Sequence, residues 1–159
     1  DGVRFVGLIG GSAGCFGGTG LIARCCDAIA ISEEGRLAMS GPEVIETVHG
    51  VEEFDSRDRA LVWRVTGGKH RYLLGEASRI CADDIAGFRE AAIALTDGPA
   101  GLTLEEVERE HAALAARWQA FSDCDDGLDV WRRLGVAAPE DVPMLATEDF
   151  TAIADEVRP

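Results

Sequence analysis

Apolar positions along the chain change their spacing from one stretch to the next, and each change marks an element. Residues 3–9, VRFVGLI, form a nearly unbroken apolar run that stops at Gly10 and Gly11, which predicts a buried strand. From Gly17 to Cys26 the spacing turns helical, with Leu21, Ile22, Cys25 and Cys26 on one face. DAIAIS, 27–32, predicts a second strand, and GRLAMS, 35–40, a short third strand or an extended arm. GPEVIETVHG, 41–50, predicts a helix with Pro42 in its first turn and Gly50 as its stop. A polar stretch then leads into a helix capped by Ser56 that ends at Gly67 and Gly68. KHRYLLGEAS, 69–78, predicts a further helix and RICAD, 79–83, a short strand. Asp84 caps the next helix, where Ile85, Phe88, Ala92 and Leu95 keep a 3–4 spacing.

TDGPAG, 96–101, is a hinge by composition, and the chain after it reads as purely helical. Thr103 and Glu106 form a capping box. Leu104, Val107, His111, Leu114, Trp118 and Phe121 then build an apolar stripe, on which His111 reads as a packed interface histidine. DGLDVWRRLG, 126–135, and PEDVPMLATEDFTAIADEV, 139–157, predict two more helices. The expected organisation is an α/β body over 1–97 followed by a helical extension over 98–159, without internal repeats.

Composition narrows the function classes. A chain of 159 residues, 47% hydrophobic, can build one real core, and no stretch reaches the roughly 18–20 unbroken apolar residues of a membrane span. No basic-then-apolar leader opens it; the chain lacks an initiator Met and begins at Asp1 close to a strand, so the later part of a longer polypeptide is expected. Fifteen basic against twenty-nine acidic side chains give −14, which argues against nucleic acid or an anionic membrane as partner. It suits a larger assembly with a basic partner. The five cysteines form no CxxC pair, so no metal site is expected. Their odd number and apolar contexts point to reduced thiols in a cytoplasm. Cys15, with no histidine near it in sequence, reads as packing and not as a nucleophile.

IGGSAGCFGGTG, 9–20, sets six glycines in twelve positions directly after a strand, and such a cluster needs a physical reason. It lacks the GKS or GKT of a phosphate loop, and the dinucleotide fingerprint fits it only loosely. Tight packing is one remaining reason. The other is an oxyanion hole, in which amides at a helix start face a developing negative oxygen. Gly17 and Gly18 open the helix, so their N–H groups are among its unpaired donors.

GCFGGTGLIARCCDAIAIS, GRLAMSGPEVIE and GVEEFDSRDRALVWRVTGGKHRYLLG together resemble the crotonase superfamily. Within it the chain is most similar, over roughly 3–95, to its carboxyltransferase branch and to the beta subunits of biotin-independent malonate decarboxylases. The resemblance implies the C-terminal part of a ββα spiral core. It implies Gly18 as the oxyanion donor, with Gly17 beside it and Gly14, Cys15, Phe16 and Thr19 lining the thioester. Leu21 stands where hydratases keep a catalytic glutamate, which disfavours hydration. Glu43, in the PE segment, matches a second hydratase glutamate and is placed to position a partner or carry a proton; a helix first-turn acid is the structural alternative. His70 and Tyr72, backed by Glu43, are the candidate proton donors to the enolate, with packing roles as their alternative. Lys69, Arg71 and Arg79 are candidate contacts for the substrate arm. The implied reaction converts a malonyl thioester on an acyl carrier protein to the acetyl thioester and carbon dioxide. The arm is of phosphopantetheine type, derived from dephospho-CoA and carried by the acyl carrier subunit, so this chain itself would bind no cofactor or metal. A gamma subunit completes a cytoplasmic hetero-oligomer, and the other oxyanion donor is expected upstream of residue 1. A subunit transferring carboxylate to or from biotin, and a catalytically silent scaffold, are the competing expectations.

Overall fold

The computed structural model describes residues 2–11, 13–98 and 101–158. Three short strands, β1 (Val6–Ile9), β2 (Ala28–Ser32) and β3 (Arg79–Cys81), form one parallel sheet in the order β1-β2-β3. Val6 pairs with Ala28 and Ala30 with Arg79. The central strand β2 is buried at all five positions, which is why AIAIS carries no polar alternation. Parallel neighbours need helical crossovers. Helix α1 (Gly17–Arg24) joins β1 to β2, and α2 (Pro42–His49), α3 (Arg59–Thr66) and α4 (Gly68–Leu73) lie between β2 and β3. Helix α5 (Ile85–Thr96) follows β3 and is capped by Asp84, whose Oδ1 accepts from the Gly87 N–H at 2.6 Å.

Residues 35–40 form the extended arm and not a sheet strand. Leu37 bridges to Cys15 in parallel and Arg36 to Gly67 in antiparallel fashion, so the arm is stapled between the glycine loop and α3. Helix α3 starts later than the pattern predicts. Asp58, and not Ser56, is its cap, with Oδ1 accepting from the Leu61 N–H at 3.1 Å. Ser56 instead donates its own N–H to Glu46 Oε2 at 2.8 Å. Helix α4 stops at Leu73, short of residue 78, because Gly75 takes φ +74° and turns the chain toward β3.

After α6 (Leu104–Phe121) come α7 (Gly127–Leu134), a 3-10 turn (Pro139–Met144) and α8 (Thr147–Val157). The single helix predicted over 139–157 is therefore broken. Lys69 Nζ enters the break and donates to the carbonyls of Val142 at 3.0 Å, Pro143 at 3.3 Å and Leu145. Trp131, Val142, Phe150 and Ala154 share one core with Ile31, Leu37 and Leu73, so the end of the chain is packed on the sheet layer. Helix α6 behaves differently. Its capping box forms as the sequence predicts, yet none of its residues is buried. Leu104, Val107, Leu114 and Trp118 are exposed, as is His111, and only Phe121 at its end packs against the core. The expectation of a covered stripe is thus not met by the described residues. No helix among them is long and apolar enough to cross a membrane.

Candidate functional site

The glycines of the loop separate by what a side chain would meet. At Gly10 a Cβ would strike Phe88 at 2.3 Å and Asp83 Oδ1 at 2.6 Å. That Asp83 oxygen accepts from the Gly11 N–H at 2.9 Å and from Ser32 Oγ at 2.7 Å, fixing the end of β1 to the end of β3. At Gly20 a Cβ would meet the Ala38 carbonyl at 2.7 Å, so α1 lies directly on the arm. Gly14, at φ +73°, leaves room for the Phe16 ring. These glycines serve turns and close approach. Gly17, at φ +60°, and Gly18 differ, because nothing lies within 4 Å of where their side chains would stand.

The arm also decides which amides remain available. Cys15 donates to the Arg36 carbonyl at 2.7 Å and accepts from the Ala38 N–H at 3.2 Å. The Gly17 N–H donates to the Met39 carbonyl at 2.9 Å. Gly17 is therefore corrected from donor to hinge: its hydrogen is already used, and its part is the positive φ. The Gly18 and Thr19 N–H groups find no acceptor among the described residues. Both residues are exposed. No acidic residue occupies the first turn of α1, and its N-cap, Phe16, supplies no side-chain cap bond. The positive end of the helix thus faces outward unneutralised.

Phe16 and Glu43 belong to the same neighbourhood. A Cβ at Gly41 would touch the Phe16 ring at 3.4 Å and Glu43 Oε2 at 3.6 Å, so the starts of α1 and α2 converge there. Glu43 is exposed at the first turn of α2. Burial raises the Cys15 thiol above its ordinary range, which keeps it protonated and inert as a nucleophile.

His70 and Tyr72 lie elsewhere. His70 is buried on α4, and its Nδ1 accepts from Trp131 Nε1 at 3.2 Å. Burial, with the Arg71 charge adding to it, pushes its pKa down to about 3. Tyr72 packs edge-on to Phe150 and donates its hydroxyl to Asp155 Oδ1 at 3.4 Å. No hydrogen bond, ion pair or ring contact joins either residue to 14–19 among the described residues. The enclosed His70 ring, bonded to Trp131 and held neutral by burial, has the packing role that was its alternative in the sequence. Lys69 and Arg71 are likewise occupied, Lys69 in the tail carbonyls and Arg71 with the Leu37 and Val65 carbonyls and Glu76. Among the described residues no group of three His, Cys, Asp or Glu side chains is arranged to hold a metal ion. Asp83, in the ADD segment that closes β3, is legible in the sequence as an acid ending a strand before a helix, whereas nothing in the sequence marks Arg36.

The parallel sheet, the glycine turn, the helix start it opens and the arm with its PE helix are similar in sequence and fold to carboxyltransferase and malonate decarboxylase subunits, consistent with the carboxyltransferase branch of the crotonase-like proteins. The relatives are specific. The chain is 38% identical to the malonyl-S-ACP:biotin-protein carboxyltransferase MADC of Malonomonas rubra, over 98% of this chain and 51% of that protein. It matches the crystal structure of a Pseudomonas malonate decarboxylase hetero-tetramer in complex with malonate at TM-score 0.61 and 32% identity, over 80% of this chain and 46% of the other. It also matches the Pseudomonas malonate decarboxylase MdcD–MdcE hetero-dimer at TM-score 0.52 and 31% identity, over 69% and 45% of the two chains. The chain thus spans about half the length of these relatives. No family model matches it.

Proposed function

We propose that this chain forms part of a malonyl-thioester decarboxylase or carboxyltransferase subunit, and that the Gly18 N–H holds the thioester oxygen as it becomes an enolate. The observation that carries the proposal is the Gly18 amide, unpaired among the described residues and exposed at the start of α1, with open space where a side chain at Gly18 would stand. When the malonyl carboxylate leaves as carbon dioxide, the electron pair of the broken C–C bond moves into the thioester and the charge collects on its oxygen. A preset donor at that oxygen lowers the barrier, and losing one typically costs about 10²–10³ in rate. The resulting carbanion carbon then takes a proton. His70 is neutral and enclosed, so Glu43 or a partner subunit supplies it. The hetero-tetrameric and hetero-dimeric malonate decarboxylases it is similar to support a partner subunit, which completes the site in this reading, while a carrier protein presents the malonyl group on a phosphopantetheine-type arm. The loop residues Gly14, Cys15, Phe16 and Thr19 border the place where the thioester would lie.

The test is a pair of substitutions in the complete assembly. Gly18→Pro deletes the hydrogen at a first-turn position where proline is tolerated, whereas Gly18→Ala keeps it. Turnover of malonyl thioester falls about 10²–10³-fold in the proline variant and far less in the alanine variant. Equal turnover in both, with normal assembly, removes the oxyanion role. A second reading follows from the 38% identical relative, whose name specifies transfer to a biotin protein. Carbon dioxide release without biotin supports decarboxylation; carboxylation of a biotinyl acceptor supports transfer.

A further inference from the structure

The arm that consumes the Gly17 amide also delivers an arginine with no anionic partner among the described residues. Arg36 Nε is buried and has no hydrogen-bond partner, and no carboxylate forms an ion pair with this guanidinium among the described residues. In a chain with twenty-nine acidic against fifteen basic side chains, a lone guanidinium is not for want of acids. Its place is held by rings: Cζ sits 5.6 Å from the Phe16 centroid and 4.9 Å from the Trp63 centroid. Trp63 Nε1 is a second buried donor with no acceptor among the described residues. Arg59 also stacks on Trp63, at 4.1 Å, but is paired with Glu34 Oε1 at 2.6 Å, so the uncompensated charge of the cluster is that of Arg36. Phe16 links the cluster to the loop, because it immediately precedes Gly17 and Gly18.

We propose that Arg36, held by Phe16 and Trp63, binds the free carboxylate of the acyl group whose thioester oxygen meets the Gly18 N–H. The inference rests on the function proposed above and adds the recognition of the acid end. A guanidinium fork is suited to a carboxylate, and stacking on rings presets it without cancelling its charge. The pairing has a kinetic consequence. It exists in the bound substrate and disappears as the carboxylate departs as neutral carbon dioxide. Binding energy present in the ground state and fading in the transition state lowers KM and does not raise kcat. After reaction the acetyl product offers Arg36 no anion, which favours its release.

The experiment measures binding to the complete assembly by calorimetry and turnover in parallel. Two ligands separate the anions: malonyl-pantetheine has the carboxylate and no phosphate, and acetyl-phosphopantetheine has the reverse. Arg36→Met keeps the aliphatic stem between the rings, and Arg36→Lys keeps the charge without the fork. Expected is about a 10- to 100-fold loss of malonyl-pantetheine affinity for Arg36→Met, the size of a charged hydrogen bond. A smaller loss is expected for Arg36→Lys and no change for acetyl-phosphopantetheine. In turnover KM rises and kcat does not fall. Loss confined to acetyl-phosphopantetheine assigns Arg36 to the arm's phosphate and overturns the proposal. Unchanged affinity for both ligands, with melting temperatures preserved, overturns it as well. Failure of malonyl-pantetheine to bind even the unaltered assembly removes both this proposal and the function it rests on, whereas binding indifferent to Arg36 removes this one alone.

Discussion

His70 is neutral because folding takes its ring out of water and places it against Trp131 and beside Arg71. Its folded pKa of about 3 lies below the ordinary value of 6.5, so the unfolded chain binds the extra proton first as the solution is acidified. The stability that His70 contributes is therefore complete above pH 6.5 and is lost as pH falls from there toward 3. Between pH 7 and 5.5, still above the isoelectric point of about 4.5, the native chain should lose about 1 kcal/mol from this group. His70→Asn keeps an acceptor for Trp131 but does not titrate. Urea unfolding at the two pH values should show the variant's stability changing by about 1 kcal/mol less than that of the native chain. Equal changes would mean that the ring is hydrated in solution. The two glycines opening α1 teach a related lesson. Gly17 and Gly18 are identical letters at a helix start, and no sequence pattern ranks them. Met39, more than twenty positions on, takes one hydrogen and leaves the other.

At the scale of elements, local signals were legible where a cap or a turn residue dictates the backbone. Asp84, the Thr103–Glu106 box, Pro42 and Gly50 all stand where the chain pattern puts them. Illegible were the boundaries set by distant partners. Ser56 is as good a cap as Asp58, but its amide is claimed by Glu46. The helical spacing of 139–157 continues through Leu145, yet the helix breaks there: Pro143 has no N–H to give to a helical ladder, and the carbonyls of Val142, Pro143 and Leu145 that the break turns out are taken by Lys69. That lysine is buried without a carboxylate, and burial lowers its pKa from the usual range, the acids Glu33 and Glu34 opposing the shift. Lys69→Met fills the space and leaves the carbonyls of Val142, Pro143 and Leu145 without their donor. It should cost about 2–3 kcal/mol in unfolding free energy. Amide exchange should quicken first across the 3-10 turn and the start of α8, not in β2. Uniform acceleration along the chain would show that Lys69 is no more than one contact among many.

For the whole molecule, one carboxylate ties together helices that the sequence offered no way to connect. Glu76 Oε2 meets Arg24 of α1 at 3.1 Å, and Oε1 meets Arg71 of α4 at 3.0 Å and Arg117 of α6 at 3.9 Å. The contributions are unequal. Arg117 stands beyond hydrogen-bond range, and an outer pair of that kind is worth under about 1 kcal/mol. Arg71 is largely enclosed, and its charge needs the carboxylate because burial otherwise disfavours the guanidinium. Removing Glu76 therefore strands an enclosed cation, which costs more than the pair itself contributes. Glu76→Gln should lower unfolding free energy by about 2–3 kcal/mol, and Arg117→Gln by less than about 1 kcal/mol. The two variants should share one feature that a simple loss of stability would not produce. Helix α6 has no buried residue and Arg117 is its ion pair to the body, so α6 should lose exchange protection in both while β2 loses it only in Glu76→Gln. Protection of α6 that survives in both variants would place its anchorage at Phe121 instead, where the helix meets the core.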